Sequence, residues 1–210
     1  MKHIAEERVH YDTARKLSSS KKSEATGILR LVNEEHPLPP SYKPRLKRLA
    51  NGLRFDERAI NQLNLMLEDA RAQGLSPVVC SAYRSFAYQE ELFQRQVTKQ
   101  MSKGLCRQQA EKEARKVVVS PGRSEHNLGL AADIVSLSYQ HLDEAQANTP
   151  ENKWLREHAS DYGFILRYPK DKEEITGVVY EPWHFRYVGI DAAKAITERG
   201  LCLEEYLESL

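Results

Sequence analysis

Three stretches of the chain carry side chains whose types and spacing suit chemistry. In Ser124-Glu125-His126-Asn127-Leu128-Gly129-Leu130-Ala131-Ala132-Asp133, an imidazole and a carboxylate stand seven positions apart. Gly129 lies between them, where the chain can turn and bring both side chains to one point. Far along the chain, Glu181-Pro182-Trp183-His184 supplies a second imidazole and a second carboxylate. His126, Asp133 and His184 together match the donor set of a catalytic zinc site with an open position for water. Glu181 is then a spare carboxylate, able to act as general base on water attacking a carbonyl and to pass the proton to the leaving amine. Pro182 interrupts regular alternation, so a bend is expected there that turns Glu181 and His184 toward one cavity.

The third stretch, Ser81-Ala82-Tyr83-Arg84-Ser85, leaves an apolar run and enters a helical pattern. A guanidinium at that junction can grip a substrate carboxylate or stabilise an oxyanion. Gln89 reaches the same region from the first turns of the helix. Each residue also has a plainer reading. Arg84 can pair with Glu90 or Glu91, Glu181 with Arg186 or a lysine, and Trp183 can simply pack in a core. His3, His10, His36, His141 and His158 are read as structural or exposed. Asp133 argues for more, because a carboxylate inside an apolar run is costly unless it is paired or metal-bound.

The elements that must hold these residues follow from periodicity. Apolar positions Ile60, Leu63, Leu67 and Ala70 predict a helix over Phe55 to Ala72. Pro77 to Ser81 reads as a buried strand, and Ser85 opens a helix with Tyr88, Leu92, Phe93 and Val97 on its apolar face. Arg107 to Lys116 is expected to be helical. Leu130 to Val135 is a strand with a carboxylate set into it. Glu151 to Tyr162 is a helix, Phe164 to Tyr168 a strand, and Val178 to Tyr180 and Trp183 to Val188 two more. Asp191 is expected to cap a helix near Ala192 to Glu198, with a short helical tail after Gly200. The fold class is α+β: one domain over residues 27–210, with helices packed on a small antiparallel sheet. Residues 1–26 are polar and are read as an N-terminal arm.

Composition excludes several partners. There are 31 Lys and Arg against 30 Asp and Glu, so net charge is +1 and nothing selects nucleic acid or another broadly anionic partner. No run approaches the ~20 apolar residues of a membrane span. Cys80, Cys106 and Cys202 form neither a metal-type pair nor a disulfide framework, and are expected to be small buried hydrophobes. Residues 1–8 lack the apolar centre of a secretory signal, which is expected of a cytoplasmic protein.

Taken together, Tyr83-Arg84-Ser85 with Gln89, Ser124-Glu125-His126 through Gly129 to Asp133, and Glu181-Pro182-Trp183-His184-Phe185-Arg186-Tyr187-Val188-Gly189 resemble the D-alanyl-D-alanine carboxypeptidases of the VanY type. Gly163 to Pro169 with Ile175-Thr176-Gly177 is similar to their bifunctional VanXY-type members. The resemblance covers roughly residues 27 to 207 and implies a hedgehog/D,D-peptidase-like fold. It implies Zn2+ held by His126, Asp133 and His184, Glu181 as base, and Arg84 at the transition state or the substrate carboxylate. Ser124 and Gln89 are implied to line the substrate site. The substrate would be a peptidoglycan stem peptide or precursor ending in D-Ala-D-Ala. Two alternatives stay open: an L,D-carboxypeptidase of the same family, and a non-catalytic module with structural zinc. Only the enzyme needs Glu181. The resemblance to anchored enzymes also keeps a cell-envelope location open beside the cytoplasmic one.

Overall fold

A computed structural model describes residues 27–210, so the polar arm expected over 1–26 lies outside the described residues. Two short strands, β1 (Leu46–Arg48) and β2 (Arg54–Asp56), pair antiparallel. Phe55 therefore belongs to β2 and not to the helix predicted from it. The reason is local: the Asp56 carboxylate accepts hydrogen bonds from the backbone N–H and the guanidinium of Arg58, which favours a turn over a helix. Helix α1 (Ile60–Ala72) begins after that turn and buries Ile60, Leu63, Met66, Leu67 and Ala70.

Next come β3 (Pro77–Ser81), α2 (Phe86–Met101) and α3 (Arg107–Arg115). Ser85 caps α2, its hydroxyl accepting from the Tyr88 N–H. The inward face of α2 is Gln89, Phe93 and Val97; Tyr88 is turned outward instead. Phe93 and Val97 pack on Ala110 and Ala114 of α3, whose small side chains let the two helices approach closely. A single turn of helix, α4 (Glu125–Leu128), leads into β4 (Ala131–Ser136), and all six residues of β4 are buried. Helix α5 (Pro150–His158) starts with proline at its first position and the Thr149 hydroxyl as cap, then tightens to a 3-10 turn over Ala159–Tyr162.

The remaining strands and α-helices are β5 (Phe164–Leu166), α6 (Glu173–Thr176), β6 (His184–Tyr187), α7 (Ile190–Arg199) and α8 (Leu203–Glu208). Two expectations fail here. Val178 to Tyr180 is not a strand, because its backbone is claimed elsewhere: the Val179 N–H donates to the Lys116 carbonyl and the Tyr180 N–H to the Glu173 carboxylate. Asp191 does not cap α7; Gly189 holds that position, and Asp191 sits in the first turn. Only Cys202 is buried, whereas Cys80 and Cys106 are exposed.

Residues Leu31–Leu210 pack as one unit around a four-stranded antiparallel sheet of order β3-β4-β6-β5, as the α+β reading requires. Phe55 and Tyr187 flank Phe164 at ring separations of 6.2 and 5.2 Å, which ties the hairpin to the far edge of the sheet. Among the described residues no helix is long and apolar enough to cross a membrane.

Gly163 marks a tight point in this packing. Its φ is +83°, and a Cβ there would lie 2.7 Å from Tyr187 Cε2 and 3.0 Å from the Gly189 backbone. Gly177 has φ +71° but open space around it. Gly163→Ala is therefore expected to cost about 2–4 kcal/mol, and Gly177→Ala only the ~1–2 kcal/mol of the left-handed backbone. Thermal unfolding should show the larger drop in Tm for Gly163→Ala; equal drops would refute the packing argument.

Candidate metal centre and catalytic cleft

Antiparallel register brings the distant motifs together. Asp133 in β4 stands opposite His184 in β6 and opposite Ser81 in β3. Cys80 is the extra residue of a bulge in β3, between paired positions Val79 and Ser81. The chain beyond β3 is stitched to α4: the Arg84 N–H donates to the His126 carbonyl, and the Asn127 side-chain amide donates to the Arg84 carbonyl. Gly129 ends α4 at φ +88° against Pro44 and Leu46, so the turn between His126 and Asp133 forms where expected.

The outcome is a buried cluster of His126, Asp133 and His184 whose ligand atoms all lie within 4.8 Å of one another. His126 Nε2 and His184 Nδ1 each stand 3.2 Å from the same oxygen, Asp133 Oδ1. The His126 Nδ1 lies 2.7 Å from the Ala82 carbonyl, which can only accept, so Nδ1 carries the proton and Nε2 presents a lone pair. Burial, reinforced by Arg84, pushes the His126 pKa down to about 4, so the ring is neutral at pH 7. A lone pair then faces a carboxylate lone pair, and Asp133 Oδ1 has no hydrogen-bond partner among the described residues despite full burial. A cation held between these two acceptors would satisfy both. The donor set of two imidazoles and one carboxylate fits zinc.

Around the cluster lies a cleft of about 180 Å³ whose lining includes Arg84, Gln89, Ser124, Tyr168, Glu181 and Trp183. Every residue predicted from the sequence for this site thus reaches it. Glu181 Oε2 is 3.6 Å from His184 Nδ1, and burial pushes the Glu181 pKa up to about 8. Its plainer partner is unavailable, because Arg186 is fully buried with Glu125. Asn152 fixes the bend after Glu181 by donating to the Pro182 carbonyl at 2.5 Å. Arg84 does not pair with Glu90 or Glu91: Nη2 donates to Asp133 Oδ2 at 2.6 Å and Nε to the Ser81 hydroxyl at 2.9 Å. Gln89 donates to the Val119 carbonyl, and Ser124 caps α4 by accepting from the His126 N–H. Trp183 lines the cleft and is not simply core.

Sequence reasoning gave no role to the charges behind the site. Glu125 Oε1 accepts from Arg167 Nε and Arg186 Nη1, both at 2.7 Å, and Arg167 also makes two bonds to Glu204. The two guanidiniums hold the Glu125 carboxyl well below the usual range against the effect of burial. The only signal in the sequence is that Arg167 and Arg186 lie within otherwise apolar β-rich runs, which charged residues occupy only when paired.

A family model described as VanY, D-alanyl-D-alanine carboxypeptidase, matches residues 52–190. A D-alanyl-D-alanine carboxypeptidase of Enterococcus faecalis is 46% identical over 180 residues, covering 85% of this chain and 65% of that protein. The chain thus spans a little under two thirds of that relative's length. A mutant of the vancomycin resistance D,D-pentapeptidase VanY from a VanB-type cassette, solved in complex with Zn(II), superimposes with a TM-score of 0.78 at 44% identity. That match covers 86% of this chain and 99% of the other. The LdcB LD-carboxypeptidase matches with a TM-score of 0.75 at 38% identity, over 86% of this chain and 85% of the other.

In the metal-free protein, burial opposes protonation of His184, but the Asp133 and Glu125 carboxylates outweigh it and raise its pKa to about 9. At pH 7 an incoming ion must displace that proton. Calorimetry in buffers of different ionisation enthalpy should show at least one proton released per ion bound, with affinity falling as pH drops from 8 to 6. Metal binding without proton release would contradict this account.

Proposed function

The chain belongs to the VanY family of D-alanyl-D-alanine carboxypeptidases, and from that premise we propose that it is a zinc carboxypeptidase. Its substrate is a peptidoglycan stem peptide or precursor ending in D-Ala-D-Ala, from which it removes the terminal D-alanine. The single observation that carries this is the placement of Glu181: a buried carboxylate in the same cleft as three converging ligands, 3.6 Å from one of them. A structural zinc site has no use for it.

His126, Asp133 and His184 would hold the zinc, which supplies Lewis acidity that polarises the scissile carbonyl and makes water deprotonable near neutral pH. Glu181 takes the proton of the attacking water as its oxygen adds to the carbonyl carbon. The same carboxyl then protonates the departing amine as the C–N bond breaks, so one residue serves as base and then acid. Burial, which pushes the Glu181 pKa up to about 8, favours the carboxyl form that protonates the amine, while a zinc ion held beside it would favour the carboxylate that the base step needs. Arg84 keeps N–H groups beyond those used on Asp133 and Ser81, and is partly accessible from the cleft. It anchors the substrate's terminal carboxylate or the developing oxyanion, which sets the register of the bond to be cut. Gln89 and Ser124 complete the wall on that side.

A second reading, cleavage of an L,D bond in a tetrapeptide, draws support from the likeness to LdcB. Zinc-loaded protein incubated with pentapeptide, tetrapeptide and D-Ala-D-Ala separates the two. Mass spectrometry should show loss of one alanine from the pentapeptide. Cleavage of the tetrapeptide alone would favour the L,D reading, and no cleavage of any would end the peptidase proposal. Glu181→Gln should retain its zinc by metal analysis after dialysis, yet lose about 10²–10⁴ in kcat/KM. Turnover at the wild-type rate would remove Glu181 from the mechanism.

A further inference from the structure

The buried charges behind the site are unevenly arranged. Both guanidiniums that reach Glu125 use its Oε1, each at 2.7 Å. Its second oxygen, Oε2, has no hydrogen-bond partner among the described residues although it is fully buried, and it lies 3.4 Å from His184 Nε2. His184 Nε2 is likewise buried and has no hydrogen-bond partner among the described residues. The other ring nitrogen, Nδ1, is the one that faces Asp133 Oδ1 and Glu181. An imidazole that gives one nitrogen to a metal must carry its proton on the other, and that N–H needs an acceptor. Glu125 Oε2 is the acceptor within reach.

We propose that Glu125 is the positioning residue of the metal centre: it accepts the His184 Nε2–H, thereby fixing the tautomer and the orientation that turn Nδ1 toward the zinc. The inference rests on the zinc-site reading and adds to it a residue outside the ligand set. Arg167 and Arg186 hold Glu125 in place and balance its charge. Arg167 is itself bound by both oxygens of Glu204 in α8, so the support of His184 runs through to the last helix. His126 solves the same problem differently, with the Ala82 carbonyl as its acceptor. The two ligand imidazoles thus have unlike supports, one neutral and one anionic, and stand nearly perpendicular at 86°. The anionic support makes His184 the more basic donor of the pair.

Nitrogen-15 NMR of histidine-labelled, zinc-loaded protein tests this without any substitution. The expected result is a His184 ring with zinc on Nδ1 and a slowly exchanging proton on Nε2. Zinc at the three ligands with the ring turned the other way, or with Nε2 unprotonated, would overturn the positioning role alone. Absence of zinc from those ligands would overturn the site reading with it. Two variants then separate positioning from general support. Glu125→Gln should weaken zinc binding by about 10–100-fold in competition with a chelator. Glu204→Gln removes the far end of the same network but leaves Glu125 against His184, so its zinc affinity should stay within about threefold of wild type, whatever it loses in stability. Equal losses of affinity in the two variants, or none in Glu125→Gln, would show a merely structural network. If Glu125→Gln does not fold, the tautomer in the wild-type protein still decides.

Discussion

The pairing of Asp133 with His184 across β4 and β6 is the constraint on which the rest of the site depends. Side chains alternate faces along a strand, so a slip of one residue would turn either ligand away from the other. The register is held on both sides of β4. β3 pairs with it through the bulge at Cys80, and β5 closes the far edge against β6. All residues of β4 are buried, so a slipped pairing would also put Asp133 where nothing offsets its charge. Once the register is set, the other groups need only short reaches. His126 comes from the turn before β4, Glu181 from the bend before β6, and Arg84 from the loop after β3.

Much of this was legible in the chain, for particular reasons. The ligands, base and arginine sit in short motifs whose residue types have few alternative uses in combination. The helices over 60–72 and 150–158 carry strong periodicity or a proline start, and the strand of Asp133 is too apolar to be a surface element. The sequence misled where side chains intervene in backbone choices. Asp56 captures Arg58 and delays the first helix, and the Glu173 carboxylate captures the Tyr180 N–H and keeps that segment out of the sheet. Neither effect has a periodic signature.

The ionic layer was illegible for a deeper reason. Arg167 follows β5 and Arg186 lies within β6, in apolar runs that call for a partner, but only three-dimensional pairing shows which partners bury them. Their partners Glu125 and Glu204 lie 42 and 37 positions from Arg167. Burying four such charges together is tolerable because two carboxylates meet two guanidiniums with charge-assisted bonds on most of their polar atoms. The exception, one oxygen of Glu125, falls beside a ligand imidazole.

The order of the strands also bears on how the site comes into being. β4 binds a strand from roughly fifty residues earlier on one side and one from roughly fifty residues later on the other. None of its ligand-bearing contacts with β6 is local, and closing such loops carries an entropic cost before any contact is made. A short metal-binding finger gathers its ligands from neighbouring turns and folds around the ion. Here the chain must have emerged through β6 before the three ligands can meet. The three ligands therefore meet only where β4 pairs with β6, so the centre depends on long-range topology and not on a local motif.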